Sequence, residues 1–364
     1  MMKRITLVQI GVGTVGGAVV EQVIEHRDQW RADFGIDIQI GGIVRRSGAI
    51  VNPDGIDATS LRDLVGRRRA GDADGGGQAP AAGAVATLTA TGPVIAMDAG
   101  AGEETADLDA QVLRAGGGAV LSNKAPLALP MSDDRSQAFW SESRLDGRLR
   151  YEATCGAGLP VISTLRNLID TGDEVLEISG TLSGTFGAIF SDVAAGMPFS
   201  EAVRGAKANG YTEPDPRDDL SGLDVARKGL ILARTLGERI DLDDINVHSL
   251  VPEDLQDVPL AQFLARIDEA DVEIGRRAAD AVAAATSLKY IVQWERGKQV
   301  QVGLRQVPRE TVLGSLQGPE NIVSFRTVRY DRYPCVVSGP GAGAAVTAAG
   351  MVADMLALAL RLAS

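Results

Sequence analysis

Residues 4–17, Arg-Ile-Thr-Leu-Val-Gln-Ile-Gly-Val-Gly-Thr-Val-Gly-Gly, decide how the first part of the chain folds. Arg4–Ile10 is a short apolar run of strand length that ends at a glycine turn. Gly11-x-Gly13-x-x-Gly16 follows at once, a helix of about a dozen residues is expected from Val15, and Ile38–Val44 reads as a second strand. Strand, G-x-G-x-x-G, helix, strand is the order of a dinucleotide-binding fold. Gly11 makes the tight turn, Gly13 admits a pyrophosphate, and Gly16 lets helix and strand pack closely. The backbone N–H groups of this turn, with Val12, Thr14 and Val15 between the glycines, are the expected phosphate contacts. The second strand ends in Ile43-Val44-Arg45-Arg46-Ser47, an arginine pair with no acid. An acid there would bind a ribose 2′-hydroxyl, whereas Arg45 suits a 2′-phosphate. NADP(H) is therefore favoured, with NAD(H) still open.

Working outward, 364 residues at 45% hydrophobic and 23% charged content make a globular chain of about two domains. The net charge of −12 argues against nucleic acid and anionic membrane as partners. Cys155 and Cys335 form no Cys-x-x-Cys, which fits a reducing, cytoplasmic setting. With His26 and His248 as the whole histidine complement, a histidine-based mechanism has little to draw on. Ala344–Leu362 is apolar enough to span a membrane, but Asp354 near its middle favours a buried core helix.

Residues 66–84 are low in complexity and read as a flexible surface insertion. Pro93–Asp98 and Ala119–Ser122 are further strands, the second leading into Asn123-Lys124 at a carboxyl end, where open α/β sheets bind ligands. Tyr151–Pro160 is an irregular glycine turn that either holds a monovalent cation on backbone oxygens or simply enters the helix Val161–Thr171. Leu176–Ser183 is a strand, expected to end in a glycine turn at Gly184–Gly187, and Asp192–Asn209 reads as helical. Later helical pieces (Leu260–Ala270, Asp271–Ala285) precede strand-like Ser287–Trp294, Val300–Gln306 and Asn321–Tyr330, a mostly antiparallel set. Gly339-Pro-Gly-Ala-Gly343 is expected to open the final helix.

Residues 209–237 stand apart. Pro214 and Pro216 stiffen an acidic loop up to Asp219, and from Ser221 the spacing of Leu223, Ala226, Leu230, Ala233 and Leu236 predicts a helix stopped by Gly237. Glu213, Asp215, Asp218, Asp219 and Asp224 crowd the one lysine, Lys228, and Asp224 and Lys228 share a helix face. Locally this is either a Ser221-x-x-Asp224 capping box with a solvated ion pair, or an acid and an amine set out for a small cationic ligand.

Taken in chain order, Gly11-x-Gly13-x-x-Gly16, Asn123-Lys124, Tyr151–Pro160, Ser179–Thr185, Gly210–Lys228 and Gly339–Gly343 followed by Val346-Thr-Ala-Ala resemble the homoserine dehydrogenase family. The resemblance spans nearly the whole chain, and the Gly210–Lys228 run is its most specific part. It implies NAD(P)H-dependent interconversion of L-aspartate 4-semialdehyde and L-homoserine, with Lys228 as general acid/base and Lys124 as a second active-site lysine that also meets cofactor. It further implies Glu213, Asp224, Asp219, Gly210 and Thr185 around the substrate, and Gly343 as a cofactor contact. Glu152, Cys155, Ala157 and Leu159 match the positions whose backbone oxygens hold sodium or potassium. A homodimer through the antiparallel sheet is implied as well. Ala99-Gly100-Ala101 stands where the family often has Thr-Ser, which leaves that hydroxyl contact in doubt. No regulatory ACT domain and no kinase domain are expected.

The fold class expected is α/β: a Rossmann domain, residues 1–150 with 340–364, and an α+β catalytic and dimerisation domain with a mostly antiparallel sheet, residues 151–339. Two competing readings are weaker. An aldehyde dehydrogenase using Cys155 as nucleophile lacks a histidine partner, and a non-catalytic dinucleotide sensor gives no reason for Lys124, Lys228 and the acidic loop together.

Overall fold

The computed structural model describes residues 3–69, 79–144 and 147–363. The chain divides into two compact units, Met1–Pro160 with Ala342–Ser364, and Val161–Gly341. The first boundary lies ten residues beyond the expected 150, because the 151–160 turn stays with the first sheet.

The first unit runs β1 (Lys3–Ile10), α1 (Thr14–Phe34), β2 (Ile36–Arg45), β3 (Gly48–Val51), α2 (Ala58–Arg69), α3 (Ala81–Thr89), β4 (Val94–Asp98), α4 (Ala106–Arg114), β5 (Gly118–Leu121), α5 (Asp134–Arg144) and β6 (Leu149–Arg150). Its sheet order is β3-β2-β1-β4-β5-β6. All pairs are parallel except β2–β3, a hairpin turned at Arg46-Ser47. Order reverses between β1 and β4, so the carboxyl ends of these two strands flank the crevice where such sheets bind ligands.

Helix α1 is longer than the dozen residues expected. The polar run His26–Gln29 is largely its outer face, Trp30 returns to the core one turn later, and Gly35 at φ 68 stops the helix by donating to the Arg31 carbonyl. The 66–84 reading needs correction at its flanks: 66–69 belong to α2 and 81–84 to α3. Residues 70–78 lie outside the described residues. The C-terminal helix Ala344–Ala363 is long and apolar enough to cross a membrane. Here Ala348, Met351, Met355, Leu358 and Ala359 are buried in one core with Ile5, Leu7, Val19, Ile38 and Met97.

The second unit runs α6 (Val161–Asp170), β7 (Val175–Thr181), α7 (Gly184–Ala194), α8 (Phe199–Ala208), α9 (Pro216–Leu220), α10 (Leu223–Thr235), β8 (Asn246–Val247), α11 (Leu260–Arg266), α12 (Asp271–Ala283), β9 (Thr286–Glu295), β10 (Gln301–Pro308), α13 (Val312–Ser315), β11 (Glu320–Thr327) and β12 (Cys335–Pro340). Its sheet, β12-β11-β7-β9-β10-β8, is antiparallel apart from the short β8–β10 pair.

Four local expectations change. Gly184–Gly187 is the first turn of α7, because the Ser183 hydroxyl accepts from Phe186 N and caps it. The helical stretch 192–209 breaks at Gly196-Met197-Pro198: Gly196 takes φ 98 and Pro198 stands at the N-cap of α8. Residues 335–340 form an edge strand before the final helix begins at Ala344. The Ser221 capping box is not formed. Pro216 opens α9, N-capped by Asp215, and the N-cap of α10 is Gly222 at φ 76.

Gly222 has a second constraint. A Cβ there would stand 1.9 Å from the Tyr290 hydroxyl, which donates to the His248 carbonyl at 2.9 Å, and the Tyr290 ring stacks on Phe186 at 3.8 Å. Left-handed backbone and a filled space both oppose a side chain. Gly222→Ala should destabilise the protein by about 1–3 kcal/mol, read as a lower urea midpoint at unchanged m-value; an unchanged midpoint contradicts this account.

Candidate active site

The two units carry separate groups of expected site residues. In the first unit the chain turns at Gly11, φ 78, whose N–H donates to the Val44 carbonyl at 2.9 Å. That bond sets the turn beside Arg45 at the end of β2. Gly16 packs so closely that a Cβ would lie 2.0 Å from the Gly11 oxygen. Gln9, which the sequence reading passed over, is buried and donates its amide to the Gly11 carbonyl at 2.9 Å and to the Met97 carbonyl at 3.1 Å. A glutamine inside an apolar strand was the signal available for it.

Gly13 is the N-cap of α1 with no side-chain cap, and α1 has no acid in its first turn. Beyond its own chain neighbours, no described atom lies within 4 Å of where a Gly13 Cβ would stand. The N–H groups of Thr14 and Val15 open α1 beside Gly13, and with those of Val12 and Gly16 they make a fitting cradle for an anion. Arg45 is half-buried, and Arg46 and Ser47 are exposed. Together they line a depression with Gly48 and Ala79–Ala81, and no acid among the described residues lines it. Gly343, φ 126, precedes the C-terminal helix, whose start is tied to α1 by Gln22 Nε2 donating to the Ala345 carbonyl at 2.9 Å. The structure thus brings the glycine turn and Arg45 together, and ties the helix that follows Gly343 to the body of α1.

Lys124 is half-buried in the turn after β5, and its carbonyl accepts from Leu127 and Ala128 N–H at 3.1 Å. Asn123 beside it is buried. Its amide donates to Asp98 Oδ2 at 3.2 Å, to the Gly102 carbonyl at 2.8 Å and to Thr105 Oγ1 at 3.0 Å. Asp98 is fully buried at the end of β4, also accepting from Gly100 N at 2.8 Å and Thr105 Oγ1 at 2.7 Å. Burial pushes its carboxyl above the usual range, partly offset by these donors. Asp98 and Thr105 were not singled out from the sequence, because the bonds that make them important run between separate loops.

The 151–160 turn is buried and strained: Gly156 takes φ 97, and Ala157, a residue with a Cβ, takes φ 56. Asp354 of the C-terminal helix accepts from Glu152 N at 2.8 Å. A Cβ on Gly158 would lie 2.3 Å from the Val346 carbonyl. Glu152, Cys155, Ala157 and Leu159 are all buried in this turn. Among the described residues, no cluster of His, Cys, Asp and Glu side chains is placed to hold a metal ion. An ion here would therefore rely on backbone oxygens. Cys155 is 0% exposed, with its sulfur against the Thr154 hydroxyl at 3.7 Å, which disfavours the nucleophile reading.

In the second unit the expected crowd of carboxylates around Lys228 is sorted out among several partners. Asp224 pairs with Lys228 Nζ at 2.7 Å, and the ammonium also donates to the Leu182 carbonyl at 2.6 Å. The lysine side chain is 11% exposed and the aspartate 47%. Asp215 instead chelates Arg217, which donates to the Leu255, Gln256 and Val258 carbonyls and locks the proline loop to the 255–258 segment. Asp219 accepts from Thr185 Oγ1 at 3.0 Å and from Glu213 N at 2.8 Å. Burial first, and then the charges of Asp224 and Asp218, raise its carboxyl above the ordinary range. Thr185 Oγ1 also reaches the Tyr211 carbonyl at 2.6 Å. The turn 182–185 therefore anchors both the Lys228 amine and the loop bearing Glu213. Gly210, φ 72, ends α8 with its N–H on the Lys207 carbonyl, and the Glu213 side chain is exposed. An amine held on a carboxylate and a carbonyl, with an exposed acid on the next loop, can exchange a proton near a bound cationic molecule.

Comparison with known proteins places the chain in a family. The homoserine dehydrogenase family profile matches residues 160–356. The chain is 37% identical, over 96% of its length, to the chloroplastic bifunctional aspartokinase/homoserine dehydrogenase 2 of Zea mays, and spans 38% of that relative. A crystal structure of a protein of unknown function from Candida auris superposes with a TM-score of 0.87 at 31% identity, covering 99% of each chain. A hyperthermophilic archaeal homoserine dehydrogenase in complex with NADPH shares the fold at a TM-score of 0.74 and 22% identity, covering 98% of each chain. With its profile covering more than half of the sequence, this chain belongs to the homoserine dehydrogenase family.

Proposed function

We propose that this protein interconverts L-aspartate 4-semialdehyde and L-homoserine with NAD(P)H, a reaction on the route to threonine, methionine and isoleucine. The observation that carries the reading is Lys228, held on Asp224 and the Leu182 carbonyl beside the turn that also anchors the Glu213 loop. When bound, the nicotinamide supplies or accepts the hydride. Lys228 gives a proton to the substrate's developing alkoxide, or takes it back from the alcohol, and its charge stabilises that oxygen. Glu213 meets the substrate's α-ammonium. Asp219 holds Thr185 and the Glu213 N–H and so sets the groups around the substrate.

Arg45, beside the glycine turn, supports NADP(H) as the preferred cofactor; the archaeal relative's complex with NADPH points the same way. The strained 151–160 turn fits a sodium or potassium ion held by the carbonyls of Glu152, Cys155, Ala157 and Leu159. A homodimer would form through the antiparallel sheet, whose edge strand β12 alternates between half-buried and exposed residues.

Lys228→Ala should lower kcat for homoserine oxidation by about 10²–10⁴-fold while NADPH titration by fluorescence stays unchanged. A variant with near-normal kcat sinks the assignment. Arg45→Ala should cut kcat/KM for NADP⁺ by about ten- to a hundredfold and leave NAD⁺ within about threefold; equal losses for both cofactors contradict 2′-phosphate binding at Arg45. Replacing sodium and potassium by choline at constant ionic strength should lower activity or thermal stability, and indifference in both removes the cation from the proposal.

A further inference from the structure

Behind the glycine turn lies a buried acidic pair outside the chemistry just described. Asp98 ends β4 and Asp109 sits on α4, both 0% exposed. Neither Asp109 oxygen accepts a hydrogen bond from any described donor. An ionised Asp109 would be a buried, unsatisfied charge, which is strongly disfavoured. As the neutral acid it carries a proton to donate, and Asp98 is the carboxyl beside it: Asp109 lies one helical turn after Thr105, whose hydroxyl is on Asp98 Oδ2 at 2.7 Å. Burial, and then the Asp98 charge, push Asp109 well above the usual carboxylate range.

Asp98 is where the two loops at the carboxyl end of the sheet are joined. Its side chain accepts from Gly100 N and Thr105 Oγ1 on the loop after β4, and from the Asn123 amide on the loop after β5. Its own carbonyl takes Ser122 N at 2.9 Å. The Asn123 side chain then turns the next step of the chain, accepting from Ala125 N at 3.1 Å across Lys124. We propose that Asp98 and Asp109 share one proton, with the charge on Asp98, and that through Asn123 this pair is the positioning device for Lys124. Asp98 is a positioning residue, since it acts on Lys124 through Asn123. The kinetic part of the inference rests on the reading of Lys124 as an active-site lysine; the shared proton does not.

The two parts are tested separately. Infrared difference spectra at neutral pH should show a protonated carboxylic acid carbonyl band in the wild-type protein that is missing from Asp109→Asn, whatever the enzyme's substrate. Absence of that band in the wild type overturns the shared proton. In homoserine oxidation, Asp98→Asn puts an amide donor where three donors converge and should lower kcat by tenfold or more. Asn123→Ala should do the same, and the double variant should be no slower than Asp98→Asn alone, because both cut one link. Asp109→Ala should lose activity, and Asp109→Asn, which keeps a donor toward Asp98, should restore it to within about threefold of wild type. Additive losses, or an Asp109→Asn variant as slow as Asp98→Asn, overturn the positioning role. Urea midpoints measured alongside separate loss of fold from loss of position. A wild type with the acid band but no homoserine oxidation refutes the proposed function and leaves the pair standing.

Discussion

The first unit depends on one close approach. The carbonyl of Gly11 and the backbone of Gly16 come within a distance that no Cβ can share, and Gln9 and Val44 hold the Gly11 turn from either side. From that contact follow the start of α1, the placing of its uncapped N–H groups, and the nearness of Arg45. The polar atoms involved are mostly main chain. Burying them is tolerable because they meet partners, and a glutamine near the end of an apolar strand donates to two of the carbonyls.

In the second unit the equivalent role falls to the turn at 182–185. One carbonyl there receives the Lys228 ammonium, one hydroxyl caps α7, and the next hydroxyl meets Asp219. The acidic loop is not a diffuse negative patch. Its carboxylates take different partners. Asp215 clamps Arg217 and fixes the loop, Asp219 holds the Glu213 backbone, and Asp224 pairs with the lysine. Glu213 is left exposed on a rigid support. The left-handed Gly222 between α9 and α10 then sets the direction in which α10 presents Asp224 and Lys228.

Much of this was legible in the residues. The strand–glycine turn–helix order, the parallel and antiparallel sheets, the helix bearing Lys228 and its stop at Gly237 all follow from periodicity and glycine placement. The Asp224–Lys228 pair follows from helical spacing. The misread details share a cause. Gly184–Gly187 read as a turn because its glycines outweighed a cap that only Ser183 supplies; α1 read short because a polar outer face hides the return of Trp30; Ser221 read as an N-cap because the left-handed turn at Gly222 needs three-dimensional context. Local composition ranks the options, and tertiary contacts choose among them.

The sequence by itself determined the fold class, the glycine turn with its arginine, the irregular 151–160 turn and the lysine–aspartate pair. These rest on short-range relations: turn chemistry, strand length, and residues four apart on one helix. Only the tertiary structure decided which carboxylate serves which partner, that Asp98 joins two loops, and that Asp109 is buried beyond the reach of any described donor. Those facts join residues distant in the chain, such as Asp98 with Asn123 and Thr185 with Asp219. Their energetics come from removal from water, which no local pattern encodes.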